Sequence, residues 1–162
     1  MKKIKLVDHL IYAEVDDEDY EILSRYDWYL NKKKCGSYAC TFINGVSIYM
    51  HQMILPVDGE LSVDHIDGNG LNNIKSNLRP ATRSQQNQNR RKREDTSSDY
   101  KGVCWDKSRG LWQVHIQVNG KYKSLGRFKS EIKAARIYNE AALKYFGEFA
   151  KLNVLPIINK VS

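Results

Sequence analysis

A carboxylate and an imidazole stand side by side at Asp64-His65, inside the polar stretch Val63-Asp64-His65-Ile66-Asp67-Gly68-Asn69-Gly70-Leu71-Asn72-Asn73. Near neutral pH an imidazole takes a proton from water, and a carboxylate oxygen holds a hard divalent cation. Neighbouring side chains of an extended backbone point to opposite sides, so one such pair serves two ligands. Phosphodiester hydrolysis needs an activated water and a cation that neutralises developing charge. Asp64 and His65 offer both. An isolated Asp-His is common in loops, so the weight rests on its surroundings, chiefly Ser76-Asn77-Leu78-Arg79-Pro80-Ala81-Thr82 downstream. Asp67 and Asn69 read as builders of the turn before Gly70. Arg79 and Arg83 either contact the phosphates of a cut strand or face solvent. His51 lies in an apolar run and reads as packing. The acidic run Asp16-Asp17-Glu18-Asp19 is explained by the positive end of a helix dipole rather than by a metal.

The elements that must hold these groups come in three stretches. To about residue 60, short apolar segments alternate with turns. Strands are expected at 10–15, 37–42 and 46–49, a short helix at 17–23, and a hairpin at Asn44-Gly45. Residues 61–90 are polar and rich in loops. A run without periodicity, from Asn89 to Asp99, reads as a linker, and its basic residues Arg90, Arg91, Lys92 and Arg93 read as a phosphate-contacting stretch.

Beyond the linker the pattern is regular. A strand is expected at 101–105, with a turn around Ser108-Arg109-Gly110. Trp112, Val114, Ile116 and Val118 alternate with Gln113, His115 and Gln117, the period of a half-buried strand. Asn119-Gly120 predicts a hairpin into a third strand ending near Phe128. Ser130 caps a helix that Gly147 stops. Ile132, Ala135, Tyr138, Ala142 and Tyr145 share one face of that helix, which covers one side of the sheet. A two-residue turn pairs Val118 with Lys121, Gln117 with Tyr122 and His115 with Ser124. Gln113, His115, Gln117, Tyr122 and Ser124 then share the uncovered face, with side chains of a size to reach base edges.

The 162 residues carry 26 Lys plus Arg against 19 Asp plus Glu, a net charge of +7. Residues 1–82 hold 9 basic and 12 acidic groups, whereas residues 83–162 hold 17 basic and 7 acidic. The excess charge lies wholly in the second part, which points to a polyanion such as nucleic acid. Apolar runs are too short to span a bilayer. The opening Met1-Lys2-Lys3-Ile4-Lys5 leads to Asp8 rather than to an apolar signal core, and Cys35, Cys40 and Cys104 form no CxxC pair. A cytoplasmic, intracellular protein is expected, without a membrane partner.

Tyr100-Lys101-Gly102-Val103, Trp112, Leu125-Gly126-Arg127-Phe128 and Ala134-Ala135-Arg136-Ile137-Tyr138-Asn139-Glu140-Ala141-Ala142 resemble the AP2 DNA-binding domain. The resemblance extends to Phe146-Gly147-Glu148-Phe149-Ala150-Lys151-Leu152-Asn153. It implies a three-stranded antiparallel sheet on one helix, with the sheet entering the major groove of duplex DNA. The implied contacts are Lys101, Cys104, His115, Gln117, Tyr122 and Ser124. Plant members have mostly Arg and Trp at these places, so their target sequence does not transfer.

The polar stretch with Asp64-His65 and Asn77 is similar to the HNH endonucleases of the ββα-metal group, in a subfamily common in phages and mobile elements. The likeness runs upstream through Tyr49-Met50-His51-Gln52-Met53-Ile54-Leu55 and downstream to Asn89. It implies His65 as general base, Asn77 as the residue fixing the imidazole, and Asp64 as ligand of a Mg²⁺ or Mn²⁺ ion. The last motif position falls four residues after Thr82, on Gln86, where the family has His or Asn. Gln86 ranks ahead of Asn87 as second ligand, because Arg79-Pro80-Ala81-Thr82 aligns without a gap and Asn89 keeps its place; a helix step of about 100° keeps the two from sharing one ion.

The expected architecture is α+β. An HNH unit with a β-rich N-terminal part covers 1–90, with its catalytic motif at 61–90. A basic linker (91–99), an AP2-like domain (100–153) and a tail (154–162) follow. The expected function is site-specific cleavage of double-stranded DNA, in the manner of a homing endonuclease, by a monomer or homodimer. The competing expectation is a non-catalytic DNA-binding protein with a decayed HNH site. An RNA partner is disfavoured because the major groove of A-form RNA is too narrow for the sheet.

Overall fold

The computed structural model describes residues 1–7, 9–33, 36–92 and 94–156. The chain divides into two compact units, Met1–Asn87 and the part from Gln88 onward. Both mix helices with antiparallel sheets, as expected for α+β. Among the described residues no helix is long and apolar enough to cross a membrane.

In the first unit β1 (Lys2–Lys5) pairs antiparallel with β2 (Tyr12–Val15), placing Ile4 opposite Ala13. α1 (Asp17–Leu23) follows, with three acids in its first turn. β3 (Tyr29–Lys33), β4 (Gly36–Ile43) and β5 (Val46–Tyr49) form a meander. Asn44 and Gly45 both take positive φ, 51° and 79°, as the tight β4–β5 turn requires. The apolar faces of these elements meet in a core of Ile4, Leu6, Ala13, Val15, Leu23, Trp28, Ala39 and Met50. Trp28 has no exposed surface, and its indole N–H donates to the Leu23 carbonyl at 2.7 Å. Burial there strands no polar group.

α2 (Met50–Ile54) leads to β6 (Ser62–His65) and β7 (Leu78–Ala81), which form a two-stranded sheet. α3 (Arg83–Asn89) follows directly. The loop between β6 and β7 is stitched to β2, because Glu14 N–H donates to the Leu71 carbonyl and Asn73 N–H to the Glu14 carbonyl. Gly70 lets that loop lie against β4. A Cβ there would stand 2.4 Å from the Tyr38 ring and 2.5 Å from the Ser37 carbonyl oxygen.

In the second unit β8 (Val103–Asp106), β9 (Leu111–Val118) and β10 (Lys121–Phe128) form a sheet in the order β10-β9-β8. Lys121 faces Val118, Tyr122 faces Gln117 and Ser124 faces His115, the expected register, with a bulge between Ser124 and Gly126. α4 (Glu131–Phe146) is capped by the Ser130 hydroxyl, which accepts from Lys133 N–H, and it ends at Gly147 with φ 54°. Its Ala134, Ala135, Tyr138 and Ala142 pack on Val103, Val114 and Ile116.

The covering face of α4 differs from expectation at its ends. Tyr145 is exposed, with the Lys123 ammonium 4.7 Å from its ring centre, and Phe146 packs on the core instead. Ile132 is only half-buried, and Ala134 faces inward beside Ala135. Three- and four-residue steps fit one helical face about equally, and a small Ala lets the helix sit close to the sheet. Part of the segment read as a linker is fastened down. Ser98 is buried with its hydroxyl on Glu131 at 2.7 Å, and Trp105 N–H donates to the Ser97 hydroxyl at 2.8 Å.

Candidate active site and nucleic-acid interface

Val63, Asp64 and His65 are all buried in β6. The register sets Asp64 opposite Arg79 and His65 opposite Leu78, so strand alternation sends the carboxylate and the imidazole to opposite faces. On one face Asp64 Oδ2 accepts from Arg79 Nε at 3.0 Å and from Nη2 at 2.9 Å. Both side chains are nearly closed to solvent. Arg79 was expected at the surface or on a DNA phosphate. Its place opposite a buried carboxylate corrects that, since a desolvated carboxylate needs a charged partner.

On the other face His65 Nε2 lies 3.2 Å from Asn73 Oδ1. With that oxygen accepting, the ring proton sits on Nε2 and the lone pair on Nδ1. The His51 ring meets that of His65 edge-on at 5.0 Å, Tyr38 lies 5.9 Å from both, and Tyr49 stacks on His51 at 5.4 Å. Burial lowers the His65 pKa, opposed by the Asn73 hydrogen bond and the charges of Asp67 and Asp64. His51 is pushed down to about 3, first by burial, then by His65 and Lys33. Both rings are neutral near pH 7, the state a proton acceptor needs. His51 packs beside the site, as its apolar surroundings in the sequence implied.

Asn77 was expected to fix the imidazole, and here the structure differs. Its Oδ1 accepts from Asp67 N–H at 3.0 Å, and its Nδ2 donates to Asp67 Oδ1 at 3.0 Å and to the Asn72 carbonyl at 2.8 Å. Asn77 therefore closes the loop that follows His65. The imidazole partner is Asn73, which sequence reasoning missed. It has no exposed surface, and its buried Nδ2 finds no hydrogen-bond partner among the described residues. An Asn-Asn pair in an Asn-rich loop does not show which member turns inward; the tie to Glu14 decides it, and that contact is remote in sequence. Asp67 and Asn69 build the turn, as expected: Asn69 N–H donates to Asp67 Oδ1 at 2.7 Å and Asn72 Nδ2 to Oδ2 at 2.9 Å. Burial would raise the Asp67 pKa, but these hydrogen bonds outweigh it and hold the carboxyl below its ordinary value.

α3 brings the remaining candidate ligand. Gln86 Nε2 donates to the Val63 carbonyl at 2.9 Å, which turns this side chain onto β6, while Asn87 is exposed. Thr82 starts the helix, its N–H and hydroxyl both donating to Gln85 Oε1. Among the described residues no three His, Cys, Asp or Glu side chains gather as metal ligands. The two residues read in the sequence as metal ligands, Asp64 and Gln86, carry hard oxygen donors of the type Mg²⁺ and Mn²⁺ take. The acidic run of α1 serves structure instead. The N-terminal amine binds Asp17, and Lys75 bridges Glu18 and Asp19.

In the second unit α4 covers one side of the sheet, and the other displays Cys104, Gln113, His115, Gln117, Tyr122 and Ser124. Cys104 Sγ lies 3.9 Å from His115 Nδ1, and the His115 ring is 5.9 Å from that of Tyr122, which is 72% exposed. Partial burial lowers the His115 pKa, so the ring presents both a donor and an acceptor at neutral pH. Gln117 Nε2 rests on the Gly120 carbonyl at 3.2 Å. Asp106 shares this side and takes Arg127 at 2.9 Å and Arg109 at 3.3 Å. Hydrogen bonds from Ser108 and then Arg127 hold its carboxyl far below the ordinary carboxylate range.

Lys101, expected on DNA, is engaged here by the chain itself. Its ammonium donates to the Gln88 and Arg90 carbonyls at 2.6 and 2.7 Å. Carbonyls at a helix end lack intrahelical donors, and a lysine satisfies them. Burial first, then Lys151 and Arg90, lower its pKa to about 8. Arg90 and Arg91 are exposed and Lys92 half-buried, whereas Arg93 lies outside the described residues.

A family model described as AP2 domain matches residues 98–148. The chain is 36% identical over 148 residues to an uncharacterized HNH endonuclease of Acanthamoeba polyphaga mimivirus, covering 88% of this chain and 74% of that protein. It is 35% identical over 66 residues to Protein 3.8 of Escherichia phage T7, covering 41% of this chain and 54% of the phage protein. Over 64 residues it is 41% identical to APETALA2-like protein 2 of Oryza sativa subsp. indica, 15% of the plant protein's length. No solved structure matches. The length shared with the mimivirus protein places this chain in the HNH endonuclease family, with an AP2 domain forming its C-terminal part.

Proposed function

We propose that the chain is a site-specific endonuclease that hydrolyses phosphodiester bonds in double-stranded DNA, with a divalent metal ion and His65 as general base. The observation that carries this reading is a buried imidazole held by Asn73, next to a carboxylate on the same strand. The β6–β7 pair followed by α3 has the element order of a ββα-metal unit, and Asp64 and Gln86 are its proposed ligands. His65 takes a proton from the attacking water at Nδ1, while Asn73 keeps the other nitrogen protonated and the ring in place. Asn77 and Asp67 set the course of the loop behind it. The chemistry supplied by a bound ion is neutralisation of charge growing on the phosphate. Cys104, His115, Gln117, Tyr122 and Ser124 read base edges, and Arg90, Arg91 and Lys92 hold phosphates. One site per chain cuts one strand, so a monomer nicks and a double-strand cut needs two chains or two events.

A second reading, a DNA-binding protein without cleavage, is favoured by the Arg79 guanidinium on Asp64 and by Gln in place of the family's His or Asn. Plasmid incubation with Mg²⁺ or Mn²⁺, with and without EDTA, separates the two. Metal-dependent nicking that His65→Ala abolishes without weakening DNA binding supports the nuclease. Full DNA binding with no cleavage in either metal supports the second reading.

A further inference from the structure

Asp64 and Arg79 are direct cross-strand partners in β6 and β7, with side chains only 10% and 11% exposed. Two guanidinium nitrogens, Nε and Nη2, lie on the same carboxylate oxygen, Oδ2. The proposed metal site has no other carboxylate among its ligands, since Gln86 offers only a neutral amide oxygen. Its charge is therefore already cancelled by the chain itself. A divalent ion approaching Asp64 meets a fixed positive charge within hydrogen-bonding distance of its ligand. Hard cations draw affinity from the net negative charge of their oxygens, and Mg²⁺ takes much of its coordination from water and substrate phosphate. Isolated, such a donor set holds an ion weakly. A DNA phosphate beside Asp64 restores the missing negative charge.

We propose that Arg79 is a resident counter-cation of Asp64 that keeps the free protein a poor metal binder, so that a divalent ion loads only together with DNA. The inference rests on the proposed metal role of Asp64 and adds an order of assembly to it. Linkage makes the coupling reciprocal: DNA tightens the ion, and the ion tightens DNA by the same factor. A purely structural Arg79 would brace β6 against β7 and leave ion and DNA binding independent.

The test measures Mn²⁺ binding by calorimetry and electron paramagnetic resonance, with the full chain carrying His65→Ala so that DNA stays intact. The DNA is a duplex selected by binding. The expected result is Mn²⁺ affinity at least about tenfold tighter in the complex than in the free protein. Arg79→Met is expected to raise the free protein's Mn²⁺ affinity by about tenfold and to shrink its dependence on DNA. Arg79→Lys keeps the charge with a single donor head, and is expected to stay close to the parent. It serves together with the parent protein should Arg79→Met fail to fold. Equal Mn²⁺ affinity with and without DNA in the parent protein overturns the proposal. So does an unchanged free-protein affinity in folded Arg79→Met, provided Asp64→Asn abolishes binding. Mn²⁺ binding that survives Asp64→Asn in the complex refutes instead the metal role of Asp64 on which the proposal rests.

Discussion

His65 Nε2 and Asn73 Oδ1 lie 3.2 Å apart, and Asn73 has no surface exposed to water. The pair sets which ring nitrogen keeps its proton, and so, in the proposed mechanism, which one takes the proton of the attacking water. Removing the acceptor by Asn73→Ala frees the ring to rotate and to change tautomer. Cleavage is expected to fall by about tenfold to a hundredfold with DNA affinity unchanged, as for a misplaced catalytic group. The hydrogen bond also raises the His65 pKa against the lowering effect of burial. Its loss should move the acid limb of the pH–rate profile to lower pH. A slower variant with an unmoved acid limb would mean that Asn73 serves only the fold.

His65 and His51 also make the stability of the Met1–Asn87 unit depend on pH. Burial lowers both pKa values, His51 to about 3. An unfolded histidine binds its proton near pH 6.5, so over this window the unfolded chain holds more protons than the folded one. Stability is then complete above pH 6.5 and falls as the pH drops towards 3. Urea midpoints measured between pH 7 and 5, above most carboxylate titrations, isolate the effect. His51→Phe, which keeps a ring against Tyr49, is expected to flatten the slope. An equal slope in that variant would assign it to other groups.

Gly70 allows the loop behind His65 to touch β4, and a Cβ there would sit 2.4 Å from the Tyr38 ring. Tyr38 in turn packs against His65 and His51. Gly70→Ala should cost about 1–3 kcal/mol of stability, the range for inserting a methyl into a packed region. It should also lower cleavage by displacing Tyr38. Thermal unfolding and nicking rates measured on the same preparation test both. A fully stable, fully active variant would show that the loop yields without disturbing the site.

Much of this arrangement was legible in the sequence because local rules carried it. The Asn119-Gly120 turn fixed the register of β9 on β10, and Ser130 and Gly147 bounded α4. The five side chains placed on the open side of the sheet by alternation lie there. What escaped depended on contacts remote in sequence. Glu14 holds the loop that turns Asn73 onto His65, Arg79 turns inward because Asp64 faces it, and Lys101 reaches back to the carbonyls of Gln88 and Arg90. No periodicity or motif spacing encodes which of two adjacent asparagines is buried. Nor does charge alone tell an arginine on DNA from one on a carboxylate.

The open side of the sheet and the basic segment should separate in binding experiments. Gln117→Ala and Tyr122→Ala are expected to weaken binding to the preferred duplex while leaving random DNA unaffected. A good base contact contributes about 1–3 kcal/mol of discrimination. Arg91→Ala should weaken both classes of DNA alike and lower the salt slope by about 1. Titrations at several salt concentrations read both effects. Equal losses on specific and random DNA from Gln117→Ala would remove it from the base-reading set.

Lys101 supplies the sharpest contrast with those basic residues. Its ammonium is engaged by the Gln88 and Arg90 carbonyls, 2.6 and 2.7 Å away, and its pKa is lowered to about 8. A phosphate contact would need that charge turned outward. Lys101→Met keeps much of the aliphatic stem and leaves the two carbonyls without their donor. It is expected to destabilise the C-terminal unit by about 1 kcal/mol, the net worth of a hydrogen bond whose acceptor stays partly open to water. The salt slope of DNA binding should stay unchanged, because no phosphate contact is lost. A slope reduced by about 1 at undiminished stability would return Lys101 to the DNA surface.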